Sequence, residues 1–567
     1  VKFIYPLLVV LLAVFAVAPL EYPGAFQSQT GLLATYNLIN LDQYPLQFFN
    51  WAPTVGRAFD LFRTDGPLPY VIAEVFHLIG LGYLDAIKLV YALAWIVSGL
   101  TMYALARRFF SQAGALLVAA VYIYLPFHIA TIYVRGAFAE AVAWAIFPLA
   151  LLTVTSRQLS DLSRQTFAFR LLPFSVLFLI QPGMAILFAL FAIAISAALH
   201  RNQPNDSPFA IRNSLFAIAA GLVLGALLYL PTLFRYGVTA GGDGFNASFI
   251  YPFQLFSSLW GFGTSTGSYL DQFPFQLGVV PIGLAIIAVA IGWHAAPAVE
   301  FDSTADLGKG KPNDDSVLRE AATSSVQTDL RRAVAAWLIA ALGLTLLTFE
   351  FTAPLWNVLG AFVAYPWQLL TFIGLALALV AGASVEFDAR LARPAMLTFF
   401  VALPVVASYG YLTPRYIDFT PTRPNIAIFG RNEIALLDYR IVGPLQHGAT
   451  VRVNTIWQAL RNVDHDYTVF VHAVDSEGKT WAQQDARPQD GALPTIKWQP
   501  GQVISDTYTI QIDVDGPREG YHLEFGMYVA ATGTRALVDT GADQLILPRP
   551  GDPEPTISDQ LPLPKSP

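Results

Sequence analysis

Cysteine is absent from the 567 residues, which excludes disulfides, thiolate nucleophiles and Cys-ligated metals and leaves the redox compartment open. Charge is scarce as well. Asp, Glu, Lys and Arg make up 13% of the chain, and the net charge of -7 gives no basic footprint for nucleic acid, which is not expected as a partner. There is no GxxxxGK[ST] phosphate loop, no HExxH pair and no dinucleotide fingerprint, so ATP-driven transport and zinc proteolysis lack support. Nor do two halves repeat with matching interrupted helices, as in many secondary transporters. Hydrocarbon fills the space. With 55% hydrophobic residues and a mean hydropathy of +0.50, the chain is too apolar for one soluble core and reads as a multi-pass protein of the cell (plasma) membrane, solvated by the lipid bilayer.

Lys2 is followed by an apolar run over 3–20. Ala16-Val17-Ala18 has the spacing of a cleavage site, but Pro19 directly after it hinders cleavage, so the run is expected to stay as a first spanning helix. Further apolar runs lie at about 67–83, 86–106, 112–127, 138–155, 171–199, 214–235, 276–294, 333–350, 366–384 and 396–412. Gln181-Pro182-Gly183 interrupts the longest of them, which makes a break into two shorter helices possible there. Eleven to thirteen transmembrane segments follow. Arg107, Arg108, Arg331, Arg332, Arg390 and Arg393 favour the cytoplasmic side, which puts 236–275, 351–365 and the C-terminal region outside. With the 21–66 loop also outside, one run within 67–106 has to be re-entrant or interfacial.

The 295–332 stretch, rich in Asp, Lys and small polar residues, reads as a mobile cytoplasmic loop. Beyond residue 412 the pattern changes to period two. Val451, Val453, Thr455 and Trp457 alternate with polar positions, as do Tyr467, Val469 and Val471, then Tyr508, Ile510 and Ile512, then Leu523, Phe525 and Met527. Such runs between turn signals predict an extracytoplasmic all-β sandwich over 413–548, followed by a disordered Pro-rich tail at 549–567. The fold class is therefore an α-helical polytopic membrane bundle, residues 1–412, with a C-terminal all-β sandwich domain.

Chemistry is expected first in the large external loop 21–66. Asp42, Asp60 and Asp65 are candidate catalytic acids there, since a carboxylate can take a proton from an acceptor hydroxyl or hold a divalent cation such as Mg or Mn against phosphate; solvated loop acids or helix caps are the plainer alternative. Arg57 lies beside them as a binding candidate. In the segment HIATIYVRGAFAE, 128–140, Arg135 offers a bidentate fork for phosphate, Glu140 could orient it or meet a sugar hydroxyl, and His128 is a third candidate. A structural ion pair competes with that reading. Asp243 and Trp260 in the 236–275 loop, and Trp367 after Pro366, add acids and aromatic faces that suit sugars but also suit a membrane interface.

Several stretches carry a family resemblance: WAP at 51–53, GPLPYVIAEVFHLIGL at 66–81, DAIKLVYAL at 85–93, YVRGAFAEA at 133–141, SSLWGFG at 257–263, APLW at 353–356 and YPWQLL at 365–370. With these the chain resembles bacterial membrane proteins labelled 6-pyruvoyl-tetrahydropterin synthase-related, and more broadly the GT-C superfamily of integral-membrane glycosyltransferases. The C-terminal stretches IWQAL, DYTVFVHAVD and WQPG resemble a β-sandwich appended to such proteins. The resemblance implies transfer of a sugar from a polyprenyl-phosphate carrier to an extracytoplasmic acceptor, an envelope glycan, lipid or protein, with a first-loop acid as base or metal ligand. Relatives keep that acid soon after the first helix, where this chain has Ser28-Gln29-Thr30, so Asp42, Asp60 and Asp65 compete for the role. The alternative is a catalytically degenerate scaffold or glycan-binding protein acting through the β-sandwich, with Trp481, His472 and Tyr528 on its face.

Overall fold

The computed structural model describes residues 3–26, 28, 31–43, 45, 65–155, 164–200, 208–230, 247–262, 265, 267–294, 315–417, 425–430, 432–499, 501–538 and 541–547. The chain divides into two compact units. The first comprises 1–31 and 61–415; the second comprises 32–60 and 416–567.

The first unit is helical. Its helices, numbered with one that belongs mostly to the second unit, are α1 (Ile4–Val17), α2 (Gly31–Gln43, of the second unit), α3 (Leu68–Leu78), α4 (Tyr83–Ala106), α5 (Gln112–Ile123), α6 (Pro126–Tyr133) and α7 (Phe138–Thr155). They continue as α8 (Arg164–Ile180), α9 (Pro182–His200), α10 (Pro208–Leu228), α11 (Val279–His294), α12 (Asp315–Leu347), α13 (Ala353–Leu359), α14 (Leu370–Phe387) and α15 (Pro394–Ser408). Among the described residues seven helices are long and apolar enough to cross a membrane, or eight if the pair α5 and α6, bent by 42°, is one span; four apolar helices are shorter. The bend has a local cause, since Pro126 cannot donate its backbone nitrogen to the preceding turn and therefore starts a new helix.

Two other breaks follow from sequence. The interruption expected at Gln181 separates α8 from α9, with Pro182 opening the second helix. Of the two runs in 67–106 the first becomes only the 11 residues of α3, roughly 17 Å of helix against a hydrocarbon core of about 30 Å. One stretch departs from expectation. From Asp315 the supposed 295–332 loop is already helix, because Glu320, Ala321, Ala322 and Gln327 are strong helix formers that continue into the apolar part of α12.

The second unit contains α2 and two antiparallel sheets. The strands are β1 (Ala427–Phe429), β2 (Ile434–Val442), β3 (Thr450–Ala459), β4 (Tyr467–Val474), β5 (Thr480–Ala486), β6 (Val503–Gln511), β7 (His522–Val529), β8 (Thr534–Arg535) and β9 (Leu545–Leu547). One sheet has the order β1-β2-β3-β6, the other β8-β7-β4-β5 with β9 also on β7. Their inner faces share one core. Val451, Val453 and Trp457 point into it while Arg452 and Asn454 stay exposed, as the two-residue period requires. Trp457 of β3 stacks on Phe525 of β7 at 5.5 Å, joining the layers. The fully buried tryptophan contributes about 2–3 kcal/mol through the area it removes from water.

Helix α2 replaces what reads as open loop. Its residues Ala34, Thr35, Tyr36, Leu38 and Ile39 are buried, and Tyr36 donates its hydroxyl to Oε1 of Gln458 on β3.

Candidate functional site

Arg135 closes the turn after α6. Its backbone nitrogen bonds to the Ala130 carbonyl, and Gly136 follows at φ 61, a left-handed conformation that glycine adopts without a Cβ clash. That reversal starts α7 so that Glu140, in its first turn, faces back to Arg135. The two side chains form a bidentate pair, Nη1 to Oε1 at 2.8 Å and Nη2 to Oε2 at 2.7 Å, and both residues are buried. Thr371 of α14 donates to Glu140 Oε1 at 2.9 Å. The guanidinium lies 4.7 Å from the ring centre of Trp367 and 5.6 Å from that of Phe127, so cation–π attraction adds to the ion pair. Trp367 is stacked on Tyr365 at 4.7 Å and packs on Phe273 at 4.9 Å.

Asp65 enters from the other side. Gly66 donates to the Ile180 carbonyl at 2.6 Å where α8 ends, and a Cβ at position 66 would fall inside the Leu179 carbonyl, so only glycine permits this approach. Tyr70 on α3 donates to Asp65 Oδ2 at 3.3 Å, and the Tyr229 hydroxyl donates to the Asp65 carbonyl at 3.3 Å. Tyr70 and Tyr91 both pack on Phe138 at 5.1 Å, and Tyr91 donates to the Gly136 carbonyl at 2.7 Å, tying the Asp65 side to the Arg135 turn. Asp65 is half-buried and lies outside the spanning segments. Desolvation pushes its carboxyl up to about 7; the Tyr70 hydrogen bond opposes the rise, Glu140 adds to it and Arg135 opposes it. A carboxyl poised there exchanges a proton near neutrality.

Asp42 sits on α2 in the second unit, whereas Asp65 belongs to the first. Arg57, Asp60 and Asp243 lie outside the described residues. His128 is fully buried, stacked on Trp144 at 4.0 Å and flanked by Trp95 and Tyr122, with Nδ1 3.0 Å from the Tyr122 carbonyl. Trp260 stacks on Tyr411 at 4.3 Å. Tyr70, Tyr91 and Thr371 were not singled out as site residues by sequence reasoning; Tyr70 and Tyr91 lie within the quoted stretches GPLPYVIAEVFHLIGL and DAIKLVYAL, and Thr371 directly follows YPWQLL, but a hydroxyl in or after a motif gives no signal of its own.

Residues 263–267 read Gly-Thr-Ser-Thr-Gly, the spacing of a serine nucleophile elbow. Ser265 is buried, and among the described residues its Oγ has no hydrogen-bond partner. Among the described residues no group of three or more His, Asp or Glu side chains is placed to hold a metal, so the described part of the site does not fit a divalent cation.

Residues 62–295 match the model of the 6-pyruvoyl-tetrahydropterin synthase related domain, described as a membrane protein. The match covers less than half of the chain. Asp65, Arg135 and Glu140 fall inside the matched stretch, while Trp367 and Thr371 lie beyond it. No curated protein matches the chain. Among solved structures it is similar to the apo oligosaccharyltransferase of Archaeoglobus fulgidus, at 16% identity and a TM-score of 0.38, over 72% of this chain and 56% of that one. It is also similar to ArnT from Cupriavidus metallidurans bound to undecaprenyl phosphate, at 13% identity and a TM-score of 0.37, over 73% and 70%. A third likeness is AglB from Archaeoglobus fulgidus in complex with an inhibitory peptide and a dolichol-phosphate, at 14% identity and a TM-score of 0.36, over 74% and 57%. The chain thus spans little more than half the length of the archaeal enzyme, and these remote likenesses carry no argument about activity.

Proposed function

We propose that the chain is a membrane glycosyltransferase of the GT-C type, moving a sugar from a polyprenyl-phosphate carrier to an acceptor hydroxyl outside the cytoplasm. The observation that carries this reading is Asp65, a carboxyl that burial raises to about 7 and that feels the charges of Arg135 and Glu140. In the step, Asp65 takes the acceptor hydroxyl proton as that oxygen bonds to the anomeric carbon. The bond from that carbon to the carrier phosphate oxygen breaks, and the phosphate leaves with the electron pair. Arg135 supplies positive charge toward the leaving phosphate. Because Glu140 already occupies both of its terminal nitrogens, it acts as a fixed charge rather than as an open fork. The faces of Tyr365 and Trp367 suit the apolar side of a pyranose ring.

The test is transfer from radiolabelled polyprenyl-phosphate hexose by purified protein. Asp65→Asn is expected to lower turnover by about 10²–10⁴, whereas Asp42→Asn leaves it unchanged. Full activity of the Asp65 variant removes Asp65 from the mechanism.

A glycan-binding role for the second unit has one observation in its favour. Asp485 accepts from Tyr528 at 3.0 Å and lies 2.9 Å from His472 Nε2, a pre-set carboxylate on the outer face of β4, β5 and β7. Substituting Asp485 without effect on binding of the full chain to envelope glycans dismisses it.

A further inference from the structure

Among the described residues three arginines are buried: Arg135, Arg170 and Arg461. Two of them hold a carboxylate, Glu140 for Arg135 at 2.7 Å and Glu433 for Arg461 at 2.8 Å. Arg170, on α8, has none. Its Nη1 donates to Ser214 Oγ of α10 at 3.3 Å, its Nε has no hydrogen-bond partner, and no described acid acts on it. Because arginine does not lose its proton in proteins, burial leaves here a desolvated cation whose one contact is a neutral hydroxyl. An anion is the missing partner.

The packing of the two helices accounts for the burial. Gly221 and Gly225 bring α10 so near α8 that a Cβ at the first would stand 2.5 Å from the Leu171 carbonyl oxygen and one at the second 2.6 Å from Phe178 Cβ. Arg170 and Phe178 recur on one face of α8, and Ser214 and Gly221 on one face of α10, each about two turns apart, so the close contact continues to Arg170. Depth then selects the anion. After Arg170 the remainder of α8, LLPFSVLFLI, carries no charge, nor does LFAIAAGLVLGALL after Ser214 in α10, so both residues stand where polar helix gives way to hydrocarbon. That is the level of lipid phosphate. Phe169 and Leu172 beside Arg170, and Leu215 and Phe216 beside Ser214, are exposed, which makes this end of the helix pair a lipid-facing surface. A phospholipid can lay its chains along that apolar rim while its phosphate meets the guanidinium. We propose that Arg170 and Ser214 form a binding site for the phosphate of a bilayer phospholipid, taken by the Nε and Nη2 edge of the arginine while Nη1 stays on the serine. The site stands independently of the transferase reading.

The test is thermal unfolding of the purified full-length protein in dodecyl maltoside, followed by tryptophan fluorescence, with three additions: dioleoyl phosphatidylglycerol, dioleoylglycerol, which has the same chains and no phosphate, and inorganic phosphate, which has no chains. Phosphatidylglycerol is expected to raise the melting temperature saturably by a few degrees, and the other two to leave it unchanged. Arg170→Gln is expected to weaken the apparent affinity for phosphatidylglycerol by about tenfold or more, with Arg170→Lys, which keeps the charge without the fork, in between. Equal response to phosphatidylglycerol in the unaltered protein and Arg170→Gln overturns the proposal, as does an equal shift from dioleoylglycerol. A saturable shift from inorganic phosphate that Arg170→Gln removes overturns the lipid as ligand and assigns the site to a soluble oxyanion. Should Arg170→Gln fail to fold, native mass spectrometry of the unaltered protein decides, since retention of phosphatidylglycerol no stronger than that of dioleoylglycerol refutes a phosphate site. Sugar transfer is not the readout, so a failed transferase assay leaves this result intact.

Discussion

At Asp65 one carboxyl carries two opposite demands. Burial raises it to about 7, so the carboxylate that can accept a proton exists above that pH and is lost below it. Transfer should therefore rise with pH through about 7, and a profile that falls across that range would show the group acting as an acid. The same shift sets a stability effect with a defined sign. Above pH 7 the folded protein holds a desolvated charge that it would hold more cheaply unfolded, and as pH falls from 7 toward the ordinary value of 3.8 protonation removes that strain. Asp65→Asn is thus expected to raise the melting temperature at pH 8 by a few degrees, with the gain shrinking as pH falls below 7 and vanishing only near 3.8. The Arg135–Glu140 pair should behave in the contrary way. Removing either partner strands a buried charge and costs about 3–5 kcal/mol, whereas Arg135→Leu with Glu140→Met together should cost less than either alone in denaturant titrations.

Elements were legible where a backbone rule governs them and obscure where contact between distant segments does. Pro182 announces the start of α9, Gly66-Pro67 the entry to α3, and alternation in 451–457 and 523–527 the strands β3 and β7. The Arg135 and Glu140 partnership could be read as well, because five residues across a glycine-containing turn bring them together. Thr371 could not, since its bond to Glu140 joins positions 231 apart and any of several hydroxyls in the apolar helices had equal claim. Likewise nothing in the polar, small-residue composition of 295–332 announces that its described part, from Asp315 on, is helix. The role of α14 is testable on its own terms. Thr371→Val preserves shape but removes a donor to a carboxylate, and should destabilise by about 1.5–3 kcal/mol in denaturant titrations, with a smaller effect in an Arg135→Leu, Glu140→Met background.

The second unit is discontinuous in sequence, with α2 hundreds of residues ahead of the sheets it joins. A fragment of residues 416–547 would leave bare the surface that α2 covers, including Gln458 at the Tyr36 contact. Such a fragment is expected to aggregate on size-exclusion chromatography and to become monodisperse when a peptide of residues 31–43 is supplied. The arrangement also imposes a clock. Tyr36 and Gln458 are 422 positions apart, and at about 5–20 residues per second the ribosome takes roughly 20–80 s to go from one to the other. For that interval a helix with a buried-type face has no sheet to rest on, and the opening segment can reach its final place only once β3 has been made.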